Sequence, residues 1–225
     1  MNILFYCPLK FSLTNSNNKS LGGIETLNIE LSKILSNSKT NIFLASYCYK
    51  KNKKKGVINI PIKFLLNNYD KYKFDKIISS NDPTIFNYYK NSENFLWIHN
   101  KLQIEKSIRK GKFFSILRNK IFSIFVSKYL DNKTSQIYNF KKRLVIPNFL
   151  DPKFENLPFN KVRKPYFVWS VQRSKGLNEI IMQWKKSVFS KNNKLKLFIF
   201  GINKKSLITY NIKNLKKFNI FFKGR

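Results

Sequence analysis

Five residues of this 225-residue chain combine a chemically useful group with a useful position: Gly22, Gly23, His99, Arg173 and Lys175. The two glycines stand in LGGIE, Leu21 to Glu25, between a short apolar run and a segment of helical periodicity. Glycine there lets a backbone come close to a ligand, and the unpaired N–H groups of a helix start attract an anion. Glu25 is a favourable first-turn carboxylate, and a glycine-rich turn without any ligand has the same sequence. Arg173 and Lys175 lie in RSKG at the corresponding junction of a second strand–helix unit. Two cations beside a helix N-terminus can neutralise a diphosphate without a metal, Arg through its planar fork and Lys as a point charge. With 44 Lys and Arg in the chain, close cations recur by chance, so the position carries the signal. His99, the single histidine, ends the apolar run of LWIHN. The carboxyl end of a strand in an open parallel sheet faces the ligand crevice, which suits an imidazole that touches substrate. A histidine that caps the core edge is the competing reading.

Several familiar chemistries find no support. The sequence contains no GxGxxG, GxxxxGK[ST], HExxH or Asp-x-Asp, so neither P-loop hydrolysis nor catalysis through a carboxylate-held metal is indicated and no metal is expected. Cys7 and Cys48 lack any metal-site spacing, which points to a reduced, cytoplasmic protein. The opening MNILFYC has neither the basic start nor the long apolar core of a signal peptide. Phe113 to Leu130 is interrupted by Arg118, Lys120 and Lys128 and cannot cheaply span a bilayer.

A formal charge of +33 would suit a polyanion partner. Yet Lys, Asn, Ile and Phe are abundant together, as codon bias alone produces, and the basic residues are scattered from Lys10 to Arg225. The one dense run, Lys50, Lys51, Lys53, Lys54 and Lys55, reads as a solvated loop. Nucleic acid is therefore not expected as a partner, while attraction to anionic lipid follows from the charge whatever its origin.

These residues need a scaffold, and the pattern supplies one. Strand-like runs fall at Ile3–Tyr6, Ile42–Ser46, Val57–Ile60, Lys76–Ser79, Phe95–Ile98, Ile121–Val126 and Leu144–Ile146. Ile24, Leu27, Leu31, Ile34 and Leu35 share one helical face, and further helices are predicted at Thr84–Lys90, Gln103–Arg118 and Lys128–Phe140. Alternating strands and helices specify an α/β fold with a mostly parallel sheet. Residues 1–150 form the first Rossmann-like domain in this reading, and 151–165, within the proline-rich stretch Pro147 to Pro165, form a linker. The pattern restarts over 166–225 with strands Tyr166–Val171, Leu195–Phe200 and Ile220–Phe222 and a helix with Leu177, Ile180, Ile181, Trp184 and Val188 on one face. Three strands are fewer than a complete nucleotide-binding sheet has, so this second domain is expected to be incomplete.

Taken in order, LGGIETLNIELSKIL, LWIHN, FVSKYL, VIPNFLDP, SVQRSKGLNEII and LKLFIFG resemble the family 4 glycosyltransferases, retaining enzymes of the GT-B fold. The resemblance implies transfer of a hexose-type sugar from a nucleoside diphosphate to a glycan or lipid-linked acceptor, without a metal or other cofactor, at the cytoplasmic side of a membrane. It assigns Gly22 and Gly23 to the donor phosphates and acceptor, Arg173 and Lys175 to the diphosphate, and His99 to the donor sugar. Glu25, Asn148 and Asp151 become further cleft residues, the last two in a PNFLD turn where the family has PNG-[IV]-D. The family's two glutamates, seven residues apart, would lie beyond FFKGR, so the chain is expected to be truncated. The alternatives are an inactive fragment that needs a partner and a basic polyanion-binding module.

Overall fold

The alternation of short apolar runs with amphipathic ones becomes, in the computed structural model, two compact units, Met1–Pro152 and Lys153–Arg225. The structure describes residues 1–13, 21–36, 39–149, 165–170, 176–192, 194–200 and 215–223. In the first unit the elements are β1 (Asn2–Tyr6), α1 (Gly23–Leu35), β2 (Asn41–Ser46), β3 (Asn52–Lys54), β4 (Val57–Pro61), α2 (Ile62–Asn67), β5 (Lys76–Ser80) and β6 (Glu93–Ile98). They continue with α3 (Ile104–Arg109), α4 (Lys112–Arg118), β7 (Ile121–Phe125), α5 (Lys128–Asn132) and β8 (Lys142–Val145). The strands pair in the order β3-β4-β2-β1-β5-β6-β7-β8. All neighbours are parallel except β3 with β4.

Burial explains the continuous apolar runs. Along β1, Leu4 and Tyr6 enter one core while Ile3, Phe5 and the following Cys7 enter another. A strand buried on both faces has no polar face to alternate with. The first core also takes Leu65 of α2, Phe113 and Ile116 of α4, and Tyr138. The second takes Ile29 of α1 together with Phe11 and Leu13 from the β1–α1 loop. That loop is pinned by buried Asn59, whose amide nitrogen donates to Leu44 O at 2.7 Å and Ser46 Oγ at 3.1 Å while its oxygen accepts from Leu13 N at 3.3 Å. At the other end of the sheet, Arg143 of β8 donates to Asp131 Oδ1 at 2.6 Å and Gln136 Oε1 at 3.0 Å, and lies 5.0 Å from the Phe125 ring centre.

Several local expectations change. The lysine run is not a loop throughout: Lys53 and Lys54 lie in edge strand β3, and Lys55 and Gly56 turn the hairpin at φ 49° and 77°. Both turn residues take the positive φ that a two-residue primed turn requires, and lysines on an edge strand discourage pairing with another chain. The helix expected at Thr84–Lys90 is a 3₁₀ turn over Pro83–Asn87, started by Asp82, whose side chain accepts from Thr84 N. Gln103–Arg118 divides into α3 and α4 at Gly111, which adopts φ 66°. Lys128–Phe140 becomes α5 and a 3₁₀ turn at Gln136–Tyr138.

In the second unit, β9 (Tyr166–Trp169), α6 (Leu177–Lys186), β10 (Lys196–Ile199) and β11 (Ile220–Phe222) give a parallel sheet of order β11-β10-β9. Leu177, Ile181 and Trp184 of α6 pack on Leu197, Ile199 and Ile220. Trp184 Nε1 donates to Phe218 O at 2.7 Å, so the polar corner of the indole is satisfied where its rings are buried. Gly176 begins α6 at φ 86°, a conformation that favours glycine. Most of the expected linker lies outside the described residues.

Candidate functional site

The chain leaves β1 toward β2 and β4 on one side and later builds β5 to β8 on the other, so the strand order reverses between β1 and β5. Diverging connections open a crevice at the carboxyl ends of the two strands there, the usual ligand position in such sheets. A cavity of about 300 Å³ occupies this place. Pro8 and Leu9 after β1, Tyr47 after β2, Ser80, Asn81 and Asp82 at the end of β5, and Asn100 after β6 line it, together with Ile24 of α1 and Lys112 of α4.

The start of α1 is held beside this cavity from within. Asn28, fully buried, donates through its side-chain nitrogen to Ser80 Oγ at 2.9 Å and to Ile24 O at 2.8 Å. That tie couples the first turns of the helix to the end of β5. Gly22 and Gly23 are exposed, and neither has a positive φ. A Cβ at Gly23 would meet nothing within 4 Å among the described residues, so these residues do not require glycine there. A Cβ at Gly22 would meet the Glu25 carboxylate, which folds back over the helix start. The same carboxylate influences Cys7, whose thiol is pushed up to about 12 first by burial and then by Glu25. Cys7 is thus a protonated core residue and not a nucleophile.

His99 follows β6. Its backbone N–H donates to Asn81 Oδ1 at 2.8 Å, and Asn81 N donates to Trp97 O at 2.9 Å. Asn81 adopts φ 57°, a conformation asparagine tolerates, and so bridges the ends of β5 and β6. The imidazole rests on Trp97 with ring centres 4.7 Å apart. Burial lowers its pKa to about 4, so the ring is neutral at pH 7. Its Nε2 is buried without a hydrogen-bond partner among the described residues. An unpaired buried polar atom is costly.

Two charged groups complete this end of the sheet. Lys112 Nζ donates to Asn81 O at 2.9 Å and lies 3.4 Å from Asp82 Oδ2. Asp82 Oδ1 accepts from Thr84 N at 3.2 Å and Thr84 Oγ1 at 2.9 Å. The lysine and aspartate therefore lock the loop after β5 while adding little net charge to the cavity.

Of the residues singled out in the sequence, Gly22, Gly23, Glu25 and His99 are not among the lining residues themselves: Gly23 and Glu25 adjoin Ile24, which lines the cavity, and His99 adjoins Asn100 and donates its backbone N–H to Asn81, which also line it. Asn148 is exposed in the segment after β8 and is not part of the cavity lining. Arg173, Lys175 and Asp151 lie outside the described residues. Asn81, Asp82, Lys112 and Tyr47 belong to the site without having been expected. The sequence SSNDP after a strand carried the signal for the first two, since Asn-Asp-Pro is turn chemistry.

No family model and no curated protein matches the sequence. Solved structures do share its fold. A glycosyltransferase from Rickettsia africae ESF-5 superposes with a TM-score of 0.60 at 15% identity, over 100% of this chain and 68% of that one. WaaG, a glycosyltransferase involved in lipopolysaccharide biosynthesis, gives 0.62 at 10% identity, over 100% of this chain and 70% of its own. Anabaena Alr3699/HepE, in complex with UDP and glucose, gives 0.50 at 13% identity, over 99% and 68%. At 10 to 15% identity the likeness is one of fold, and that fold is the GT-B type built from two Rossmann-like parallel-sheet units.

Proposed function

We propose that this chain is a glycosyltransferase that moves a sugar from a nucleoside diphosphate to a glycan or lipid-linked acceptor, with retention as in family 4. One observation carries the reading: at the reversal of strand order, Ile24 in the first turn of α1 and Asn81 and Asn100, the two residues that adjoin His99, line one cavity. Sugar transfer needs negative charge stabilised on the departing diphosphate and the sugar held in register. Arg173 and Lys175 supply the first in this proposal, Gly22 and Gly23 admit the reacting groups, and neutral His99 orients a sugar hydroxyl. Glu25, Asn148 and Asp151 are assigned to the surrounding cleft. The scheme uses the paired cations where other transferases use a metal.

A place at the inner face of a membrane belongs to the same proposal. Ile104, Ile108, Phe114 and Leu117 of α3 and α4 are exposed, among Lys106, Arg109 and Lys110. Apolar side chains amid cations suit insertion at an anionic interface.

The transfer reading is tested with a panel of nucleotide sugars. Gly23→Ala should leave the fold as stable or slightly more so, because alanine favours a helix by about 0.5–1 kcal/mol over glycine. It should nevertheless weaken donor binding, whereas binding equal to the parent would remove the α1 terminus from the site. Arg173→Ala should lower kcat/KM by about a hundredfold or more.

The second expectation concerns pH. With one histidine in the chain, the imidazole C2 proton gives a single assignable NMR signal, and it should titrate near pH 4. The folded value lies below the unfolded one, near 6.5. Stability due to the neutral ring is therefore present above pH about 6.5 and lost as pH falls toward 4. A titration near 6.5 would show the ring solvated.

Membrane contact predicts salt-sensitive binding to anionic vesicles, reduced by Ile108→Ser with Phe114→Ser. Equal partitioning onto neutral and anionic vesicles would contradict it.

A further inference from the structure

Further cavities follow the carboxyl edge of the first sheet on either side of the one at the strand reversal. Toward β2 and β4, a cavity of about 330 Å³ shares Tyr47 with it. That cavity shares Cys48, Tyr49, Pro61 and Lys63 with a larger one of about 650 Å³. Toward β6, a cavity of about 200 Å³ shares Asn81, Asn100 and Lys112 with the central one. The four form one row above strands β4, β2, β1, β5 and β6. Four strand spacings amount to about 19 Å, room for several linked sugar rings.

The lining is uneven in a way that selects a ligand. Tyr47 and Phe64 are exposed near the β2 and β4 end, and Tyr49 is 87% exposed there. Flat rings exposed at a groove wall can serve as stacking platforms, and Lys10 Nζ lies 5.6 Å from the centre of the Tyr49 ring. Around them stand Lys10, Lys50, Lys51 and Lys63, none in an ion pair among the described residues. The far end carries Lys101, Lys106 and Lys110. Between the ends, Lys112 is spent on Asp82, the one carboxylate that lines the row among the described residues. Amide side chains recur along it, Asn67 and Asn68 at one end, Asn81 and Asn100 in the middle and Gln103 at the other. Each amide both donates and accepts, as pairing with hydroxyls demands.

We infer that this edge groove binds an extended, acidic oligosaccharide, its sugar rings stacked on Tyr49 and Phe64 and its anionic groups met by the lysines at the two ends. A single-stranded nucleic acid carries a phosphate at every residue and calls for cations throughout, whereas this groove has a nearly neutral centre. That the bound chain is the sugar acceptor rests on the glycosyltransferase reading.

A hyaluronan hexasaccharide, with an acid on alternate sugars, is a suitable probe, measured by calorimetry against neutral chitohexaose and against hexathymidylate. Tyr49→Ala with Phe64→Ala, and separately the triple change Lys50→Gln, Lys51→Gln and Lys63→Gln, should each weaken hyaluronan binding about tenfold or more, equivalent to about 1.4 kcal/mol. These residues are exposed, so the variants should fold. Removing as many charges at the opposite edge, through Lys90→Gln, Lys120→Gln and Lys141→Gln, should leave binding within about twofold. Chitohexaose binding as tightly as hyaluronan, or equal losses from the two triple variants, would overturn the inference. So would hexathymidylate binding more tightly than hyaluronan and responding to the same edge changes. UDP binding, measured in parallel, keeps the readings apart. Hyaluronan bound without UDP leaves the groove standing and counts against the transferase, while UDP bound without hyaluronan defeats the groove alone.

Discussion

Alternate side chains of β1 enter different hydrophobic cores, Leu4 and Tyr6 into one and Ile3 and Phe5 into the other, so neither face of the strand meets water. Each large apolar side chain so buried contributes about 1.5–3 kcal/mol, and together they fix the strand at the centre of the sheet. A strand sealed on both faces can present polar groups only at its ends. Parallel pairing then gathers the carboxyl ends of β4, β2, β1, β5 and β6 along one edge, and the reversal of strand order opens that edge at β1 and β5. The position of the cavity is thus a consequence of the core.

Polar chemistry at that edge is held by a few directed interactions. Asn81 uses a left-handed backbone and its side-chain oxygen to tie β5 to the start of the segment after β6. Asn28 ties α1 to β5 through Ser80. The result is a firmly tied frame in which the His99 ring lies tilted against Trp97 and is kept neutral by burial. Rigidity of this kind matters because a misplacement of about 1 Å can cost roughly a hundredfold in rate.

The sheet was legible in the sequence because its central strands, buried on both faces, leave largely apolar runs, and the seven strand-like runs fall on seven of the eight strands among the described residues of the first unit. Edge strand β3 was not, since NKK has no hydrophobic pattern and owes its pairing to the turn at Lys55 and Gly56. Helical spans were overextended wherever a backbone signal outweighed periodicity: Gly111 splits α3 from α4, and Pro83 with Asp82 favours a 3₁₀ turn. At the site, His99 and the glycine pair stood out by residue type and by their place at strand ends. Lys112 and Tyr47 did not, because they reach the cavity from elements whose relative placement only the folded chain reveals.

The account is tested most directly by the imidazole of His99, watched through its C2 proton while a nucleoside diphosphate and then the corresponding nucleotide sugar are added. A donor sugar held against Nε2 should shift the resonance when the nucleotide sugar binds and leave it much less affected by the diphosphate alone. An unmoved signal under conditions where calorimetry shows the nucleotide sugar bound would contradict the role of His99 and, with it, the assignment of this cavity as the transfer site.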